Sequence, residues 1–425
     1  MKKWFLLIAV FNVSLGFAQR DTITLNQCLE WSRANFPLLQ KQQLQSQELD
    51  LKLKNISADY LPKVLINGQL TYQSDVPNLP EGMGLPSLGI PQTQYRAALN
   101  LEQTLFNGGS TRASKELINA ENEAEQQSVE VDWQQMKIMV VNLCFAIVMQ
   151  EQSAEILQTS SDLLDAKLAQ LQAMLDQGAI LESDFLRVKA QLYELQKQQS
   201  QVVYQKQASL KSLSLLTGKE LNPGTKVEVP EAFQASPPQL DQLPQLQQID
   251  LQKKRLAASQ KLASTSLIPR LSAFGTGGVA EPNPYNFFNT EFGTYYMVGA
   301  KLQWNVFDWN ITRRTNASLG LRKEMLDTEA EQFRLSQQVK LADLQADINQ
   351  LEETVEKDEE IAEMRAKIRQ TASSQLDQGT LTSADYLETV MDEQRALLTR
   401  ELNTIKLTKT RVEYAIESGS FEKKK

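Results

Sequence analysis

Leu175-Asp176-Gln177-Gly178, followed by Asp184-Phe185-Leu186, is written a second time as Leu376-Asp377-Gln378-Gly379, followed by Asp385-Tyr386-Leu387. The offset is 201 residues (376 − 175). Working outward, Leu105-Phe106-Asn107 matches Val306-Phe307-Asp308 at the same offset. Further upstream, Phe36-Pro37 with Leu39-Gln40 matches Leu243-Pro244 with Leu246-Gln247, and Leu61-Pro62 matches Ile268-Pro269, both offset by 207 (244 − 37). One change of six residues (207 − 201) therefore falls between Pro62 and Phe106, where Pro77, Pro80, Pro86 and Pro91 mark a loop. Shared order and register over so many positions identify an internal duplication.

Each copy reads alike. An initial helix is predicted from Leu25 to Ala58, interrupted near Pro37, with a counterpart from Leu243 to Ser266. A strand follows Pro62 and Pro269, then a loop at about residues 75–93 and 281–294. A second strand is predicted over Tyr95–Phe106 and Tyr295–Phe307. A very long helix comes next, broken only at Gly178 and Gly379, where a returning helix begins. Residues 217–242, with Gly218, Pro223, Gly224, Pro230, Pro237 and Pro238, join the copies and leave room for a short strand at Lys226–Val229. The expected organisation is a signal peptide at 1–18, a first repeat at 19–216, this linker, a second repeat at 243–418 and a tail at 419–425.

The second strand alternates with period two. Tyr95, Ala97, Leu99, Leu101 and Leu105 oppose Arg96, Asn100, Glu102 and Thr104. In the other copy Tyr296, Val298, Ala300, Leu302, Trp304 and Val306 oppose Lys301, Gln303 and Asn305. Such a pattern suits either a half-buried sheet or a wall between lipid and a wet lumen. The helices favour the second. Asn107 to Asp176 runs near 70 residues without proline, about 100 Å of helix. Leu341, Leu344, Ile348, Leu351 and Val355 step by 3 and 4, which is coiled-coil spacing. Ile138–Met149 reads as a tightly packed helix segment, since Asn142 interrupts it and it is short for a span. Four strands cannot close a bilayer barrel, and open edges in lipid cost several kcal/mol per unsatisfied group, so membrane insertion would require oligomerisation.

Composition closes off other classes. The 425 residues are 41% hydrophobic and only 7% aromatic, with mean hydropathy −0.37. This is not a polytopic helical membrane protein. A net charge of −8 argues against nucleic acid as a partner. The complete lack of histidine removes Ser-His-Asp and Cys-His catalysis and most zinc or copper sites. No enzyme activity, metal or cofactor is expected. Lys2 and Lys3, the apolar run Trp4–Val13 and Gly16-Phe17-Ala18 read as a secretory signal cleaved after Ala18, with a membrane anchor as the lesser alternative. Cys28 and Cys144 are therefore expected in an oxidising compartment. Cys144 lies in a long helix far along the chain from Cys28, so two free buried thiols are expected rather than a disulfide.

Taken together, these residues resemble the TolC family of outer-membrane efflux ducts over nearly the whole mature chain. Thr24-Leu25-Asn26-Gln27-Cys28-Leu29 leading to Asn35-Phe36-Pro37 is similar to the family's opening helix, and Tyr60-Leu61-Pro62 to its entry into the first strand. Leu105-Phe106-Asn107-Gly108-Gly109 resembles its strand-to-helix junction. The second copy has Val306-Phe307-Asp308-Trp309-Asn310 there, without either glycine, so a different local turn is expected.

The resemblance implies an α+β membrane protein in the outer membrane, extending into the periplasm. Duplicated long helical hairpins would form a periplasmic tube, and four transmembrane strands per chain would complete a 12-stranded barrel in a homotrimer. Its implied partners are a periplasmic adaptor (membrane fusion) protein, an inner-membrane pump and outer-membrane lipid, in an efflux or type I secretion system. It also implies adaptor-contacting tips at Gln177, Gly178, Ala179 and Asp184, and at Gln378, Gly379 and Thr380. Acidic rings at a pore constriction would fall on Asp385 and Glu388, i and i+3 on one helix face. Leu381 stands where the family has a basic latch residue, so any closed-state lock must differ. A plain alternative is that both acids are solvated helix-start carboxylates. Competing functions are a periplasmic adaptor and an envelope-spanning coiled-coil protein without a channel.

Overall fold

The structure, a computed structural model, describes residues 22–76, 89–230, 233, 236–286 and 289–421. The predicted signal segment and Pro77, Pro80 and Pro86 lie outside the described residues. In chain order the elements are β1 (Thr22–Thr24), α1 (Leu25–Ala34), α2 (Leu38–Ser57), β2 (Lys63–Tyr72), β3 (Thr93–Phe106), α3 (Ser110–Asp176) and α4 (Glu182–Thr217). Then follow β4 (Lys226–Glu228), α5 (Pro244–Ser264), β5 (Arg270–Glu281), β6 (Gly293–Gln303), α6 (Ile311–Asp377) and α7 (Ser383–Glu417). Apart from β1 and β4, each repeat thus runs helix, two strands, long helix, returning helix. The predicted second strand of the second copy is shorter than expected. It stops at Gln303, so Trp304 and Val306 lie beyond it, and the Trp304 indole instead donates to Leu267 O at 3.0 Å.

Two compact units divide the chain, and each draws on both repeats. One comprises residues 1–37, 132–243 and 336–425. Within it, Leu157, Leu164, Leu168 and Leu171 of α3 pack with Val188, Leu192 and Leu195 of α4, with Ala372 and Leu376 of α6, and with Tyr386, Leu387 and Val390 of α7. A second cluster joins Ile23, Leu25, Cys28 and Leu29 to Val140, Val141, Cys144, Phe145 and Ile147 of α3, with Leu210, Leu213, Val227, Val412 and Ile416. Val140, Val141, Cys144, Phe145 and Ile147 are fully buried, so one face of the Ile138–Met149 run is packed core, while Met139 on it is 52% exposed. Truncating one such leucine to alanine costs about 2–5 kcal/mol.

Polar contacts fasten the ends of this unit. Thr24 caps α1 in a reciprocal box with Gln27. The Asn35 amide donates to Leu215 O and Leu216 O, both at 3.2 Å, covering the last carbonyls of α4. The linker strand β4 pairs in parallel with β1. Beyond it, Gln239 N donates to Ser418 O at 2.7 Å, tying the linker to the end of α7.

The other unit, residues 38–131 and 244–335, carries one antiparallel sheet in the order β2-β3-β5-β6. Its register explains the alternation. Ile66 opposes Leu99, which opposes Gly277, which opposes Tyr296; Val64, Leu101, Gly275 and Val298 form the next such row. These rows share one face, and it is bare: Ile66 is 80%, Tyr296 83% and Val298 76% exposed. The opposite face carries Lys63 against Glu102, Gln69 against Arg96, and Asn100 against Thr276, whose hydroxyl donates to Asn100 Oδ1 at 2.9 Å. Gly278 fits a close approach, because a Cβ there would lie 2.2 Å from Ala97 O.

The strand-to-helix junctions overturn one expectation. Gly108 and Gly109 have φ of 67° and 80°, and their counterparts Trp309 and Asn310 have 52° and 62°. Both copies therefore make the same left-handed turn, although only the first uses glycine. Asn tolerates this region, whereas Trp309 carries strain there. The flanking residues hold the turn. Asp308 Oδ2 accepts from Thr312 N at 2.8 Å at the start of α6, and Tyr60 OH donates to Asn107 Oδ1 at 2.9 Å in the first copy. The glycines are nonetheless not interchangeable, since a Cβ on Gly108 would sit 2.8 Å from Ile268 Cβ. Gly108→Ala is therefore expected to destabilise the protein by about 2 kcal/mol or more, through strain and overpacking. Trp309→Gly should change stability by less than about 1 kcal/mol, and thermal denaturation of the two variants measures the difference.

Candidate functional site: the two helical tips

The turns that join α3 to α4 and α6 to α7 are built alike. Gly178 and Gly379 have φ of 71° and 68°, with open space around both. Ala179 N donates to Met174 O at 2.8 Å, and Thr380 N to Gln375 O at 2.9 Å. Each is the six-to-one bond of a Schellman ending, which needs a left-handed residue just past the helix. Gln177, Gly178, Ala179, Gln378, Gly379 and Thr380 are all exposed, while Asp184 is half-buried.

The returning helices start differently. At α4 the cap position is Leu181, which has no side-chain acceptor, and Asp184 N bonds only to Leu181 O at 3.0 Å. At α7 the cap is Thr382. Its hydroxyl accepts from Asp385 N at 3.1 Å and donates to Asp385 Oδ2 at 2.7 Å. Asp385 thus does hold a helix start, as the plain alternative required, yet its carboxylate remains exposed. Glu388, one turn on, is exposed as well. The two line a shallow groove with Arg365, Lys367, Leu381 and Asp392. On α6, Arg365 pairs with Asp392 at 2.8 Å and Arg369 with Glu393, while Lys367 lines the same groove as the two acids. Among the described residues neither Asp385 nor Glu388 forms an ion pair within 4.0 Å, so two exposed carboxylates stand one turn apart near the second tip.

A further contact at this tip escaped the sequence reading. Lys167 of α3 is only 7% exposed, and its Nζ donates to Asp377 Oδ1 at 2.6 Å. The same ammonium lies 5.3 Å from the ring centroid of Tyr386, itself fully buried. One lysine of the first repeat therefore grips two residues of the second. The reverse contact is missing. Position 368, which matches 167, is Ile, and Asp176, which matches Asp377, accepts from its own neighbour Gln172 at 2.9 Å. Leu381 packs against the apolar cluster under the tips. The signal was available in the repeat alignment, as a lysine facing an isoleucine.

The outer membrane efflux protein family matches residues 29–219. No curated protein matches the sequence. Among solved structures, VceC of Vibrio cholerae, an outer membrane protein, is 14% identical with a TM-score of 0.67, covering 94% of this chain and 97% of that one. The CmeC outer membrane channel of Campylobacter jejuni is 16% identical with a TM-score of 0.69, covering 94% and 87%. The open state of the Neisseria gonorrhoeae MtrE outer membrane channel is 13% identical with a TM-score of 0.65, covering 94% and 89%. At such identities the likeness is one of fold, and it takes in the sheet and both hairpins, which an adaptor-like single hairpin would not. Residues 29–219 match the outer membrane efflux protein family, and nearly the whole chain shares the fold of these outer-membrane channels.

Proposed function

We propose that the protein is the outer-membrane channel of a tripartite export system, a passive duct that extends into the periplasm. The observation that carries this reading is the sheet of β2, β3, β5 and β6. It bares an apolar face beside Ile66, Tyr296 and Val298, bears polar residues on the other, and leaves β2 and β6 as edges. Strands of 10–14 residues suit a tilted crossing of the hydrocarbon layer. In lipid the edges must be paired. Three chains would supply twelve strands, an ordinary barrel size, with the polar face turned to the lumen. The paired long helices of three chains would form the tube beneath it.

In this assembly the tips at Gln177, Gly178, Ala179 and Asp184, and at Gln378, Gly379 and Thr380, would meet a periplasmic adaptor that links the duct to an inner-membrane pump. Asp385 and Glu388 would ring the constriction. Unpaired and exposed, they would concentrate cations at a narrow mouth. The duct supplies a path, and the pump supplies the energy.

Reconstitution in planar bilayers tests the function. Discrete conductance steps with preference for cations are expected, and no conductance from correctly assembled protein would refute a channel. Asp385→Asn combined with Glu388→Gln should lower cation preference several-fold while leaving assembly intact. The Lys167 contact generates a separate expectation. Lys167→Gln should loosen the second tip, costing about 1–2 kcal/mol locally, and raise open probability. Faster hydrogen exchange across residues 376–390, with residues 175–189 little changed, is the matching readout.

A further inference from the structure

Cys28 and Cys144 are free thiols in this structure, both fully buried in one apolar cluster. They are 116 positions apart in the chain (144 − 28). In space they are neighbours. Cys28 stands in the first turns of α1 and Cys144 in the middle of α3, and their sulfurs share a hydrogen bond. Leu25, Val140, Val141 and Phe145 belong to the same cluster. We propose that Cys28 and Cys144 close to a disulfide as the exported chain folds, stapling α1 to α3.

Geometry supports the step. Both thiols lie in one buried cluster and in hydrogen-bond contact, so a small approach brings the sulfurs to the bond length of about 2 Å. In the docked state the hydrogen bond from Cys144 holds the Cys28 thiol below its usual range, and the same contact, with burial, pushes the Cys144 thiol well above it. While α1 is still undocked that contact is absent and either thiolate can start the exchange, Cys28 for example. It attacks one sulfur of a disulfide-bearing oxidant, forming a mixed disulfide and releasing one oxidant thiolate. Cys144 then gives up its proton and attacks the Cys28 sulfur, releasing the second. The chain loses two electrons and two protons, and the oxidant disulfide becomes a dithiol. Because the site is sealed once α1 docks, exchange belongs to the folding chain, and the finished bond is shielded from reductants.

The bond would also have a defined mechanical effect. It closes a loop that contains α2, β2 and β3, so it holds the ends of the first repeat's sheet-forming segment together. Among the described residues, the other ties of α1 to its unit are noncovalent: the Asn35 caps, the apolar cluster and the ring contact of Phe36 with Trp133 at 5.7 Å.

The inference rests on export of the chain, and both are read from one sample. Full-length protein is recovered from the outer-membrane fraction, denatured in acid, and labelled with a bulky maleimide before and after reduction. No label before reduction and two labels after it are expected, together with a peptide pair joining Cys28 to Cys144. Cys28→Ser should take one label in both conditions. Two labels on the wild-type chain without reduction would overturn the proposal, as would a disulfide that joins two chains. The fraction in which the chain is found reports on export separately.

Discussion

Backbone groups at a sheet edge must find partners, and in hydrocarbon water cannot provide them. That constraint governs this protein. Its sheet has an exposed apolar face and two edges, β2 and β6, within one chain. Neither feature suits a monomer in water, where so large an apolar patch invites association, nor a monomer in lipid. Closure with further copies resolves both, and the helices follow. Each strand pair leads directly into a 67-residue helix.

Duplication supplies this architecture economically, and the two copies have diverged in local detail. The two junctions keep the same backbone turn with different residues, which places the selection on conformation and local packing rather than on glycine itself. Ile268 crowds Gly108, while Trp309 projects into open surroundings. At the tips the backbone turns are again equal, but the side chains are not. Lys167 grips Asp377 and Tyr386 without a reciprocal contact, and only α7 combines a capped start with a pair of unpaired acids. The two hairpins therefore differ in how firmly their tips are held.

Much of this was legible in the sequence, for physical reasons. The repeat offset located the long helices and the paired strands of both copies, because turns rich in proline and glycine punctuate long periodic segments, but β1 at Thr22–Thr24 gave no such signal. Period-two alternation assigned the faces of β3 correctly. What escaped were contacts between segments distant in the chain. The Cys28–Cys144 neighbourhood depends on how α1 docks against α3, and no local pattern encodes it. The Lys167–Asp377 pair joins the two repeats, and the end of β6 at Gln303 reflects the Trp304 indole bonding back to Leu267. The turn at Trp309 was misread because residue type was taken as a guide to φ, whereas Asp308 and the start of α6 impose the conformation.

The account turns on closure of the sheet by copies of the same chain. Native mass spectrometry of the protein extracted from outer membranes in mild detergent measures this directly. A predominant species of three chains is the predicted result. A stable, monodisperse monomer with the sheet folded would contradict it.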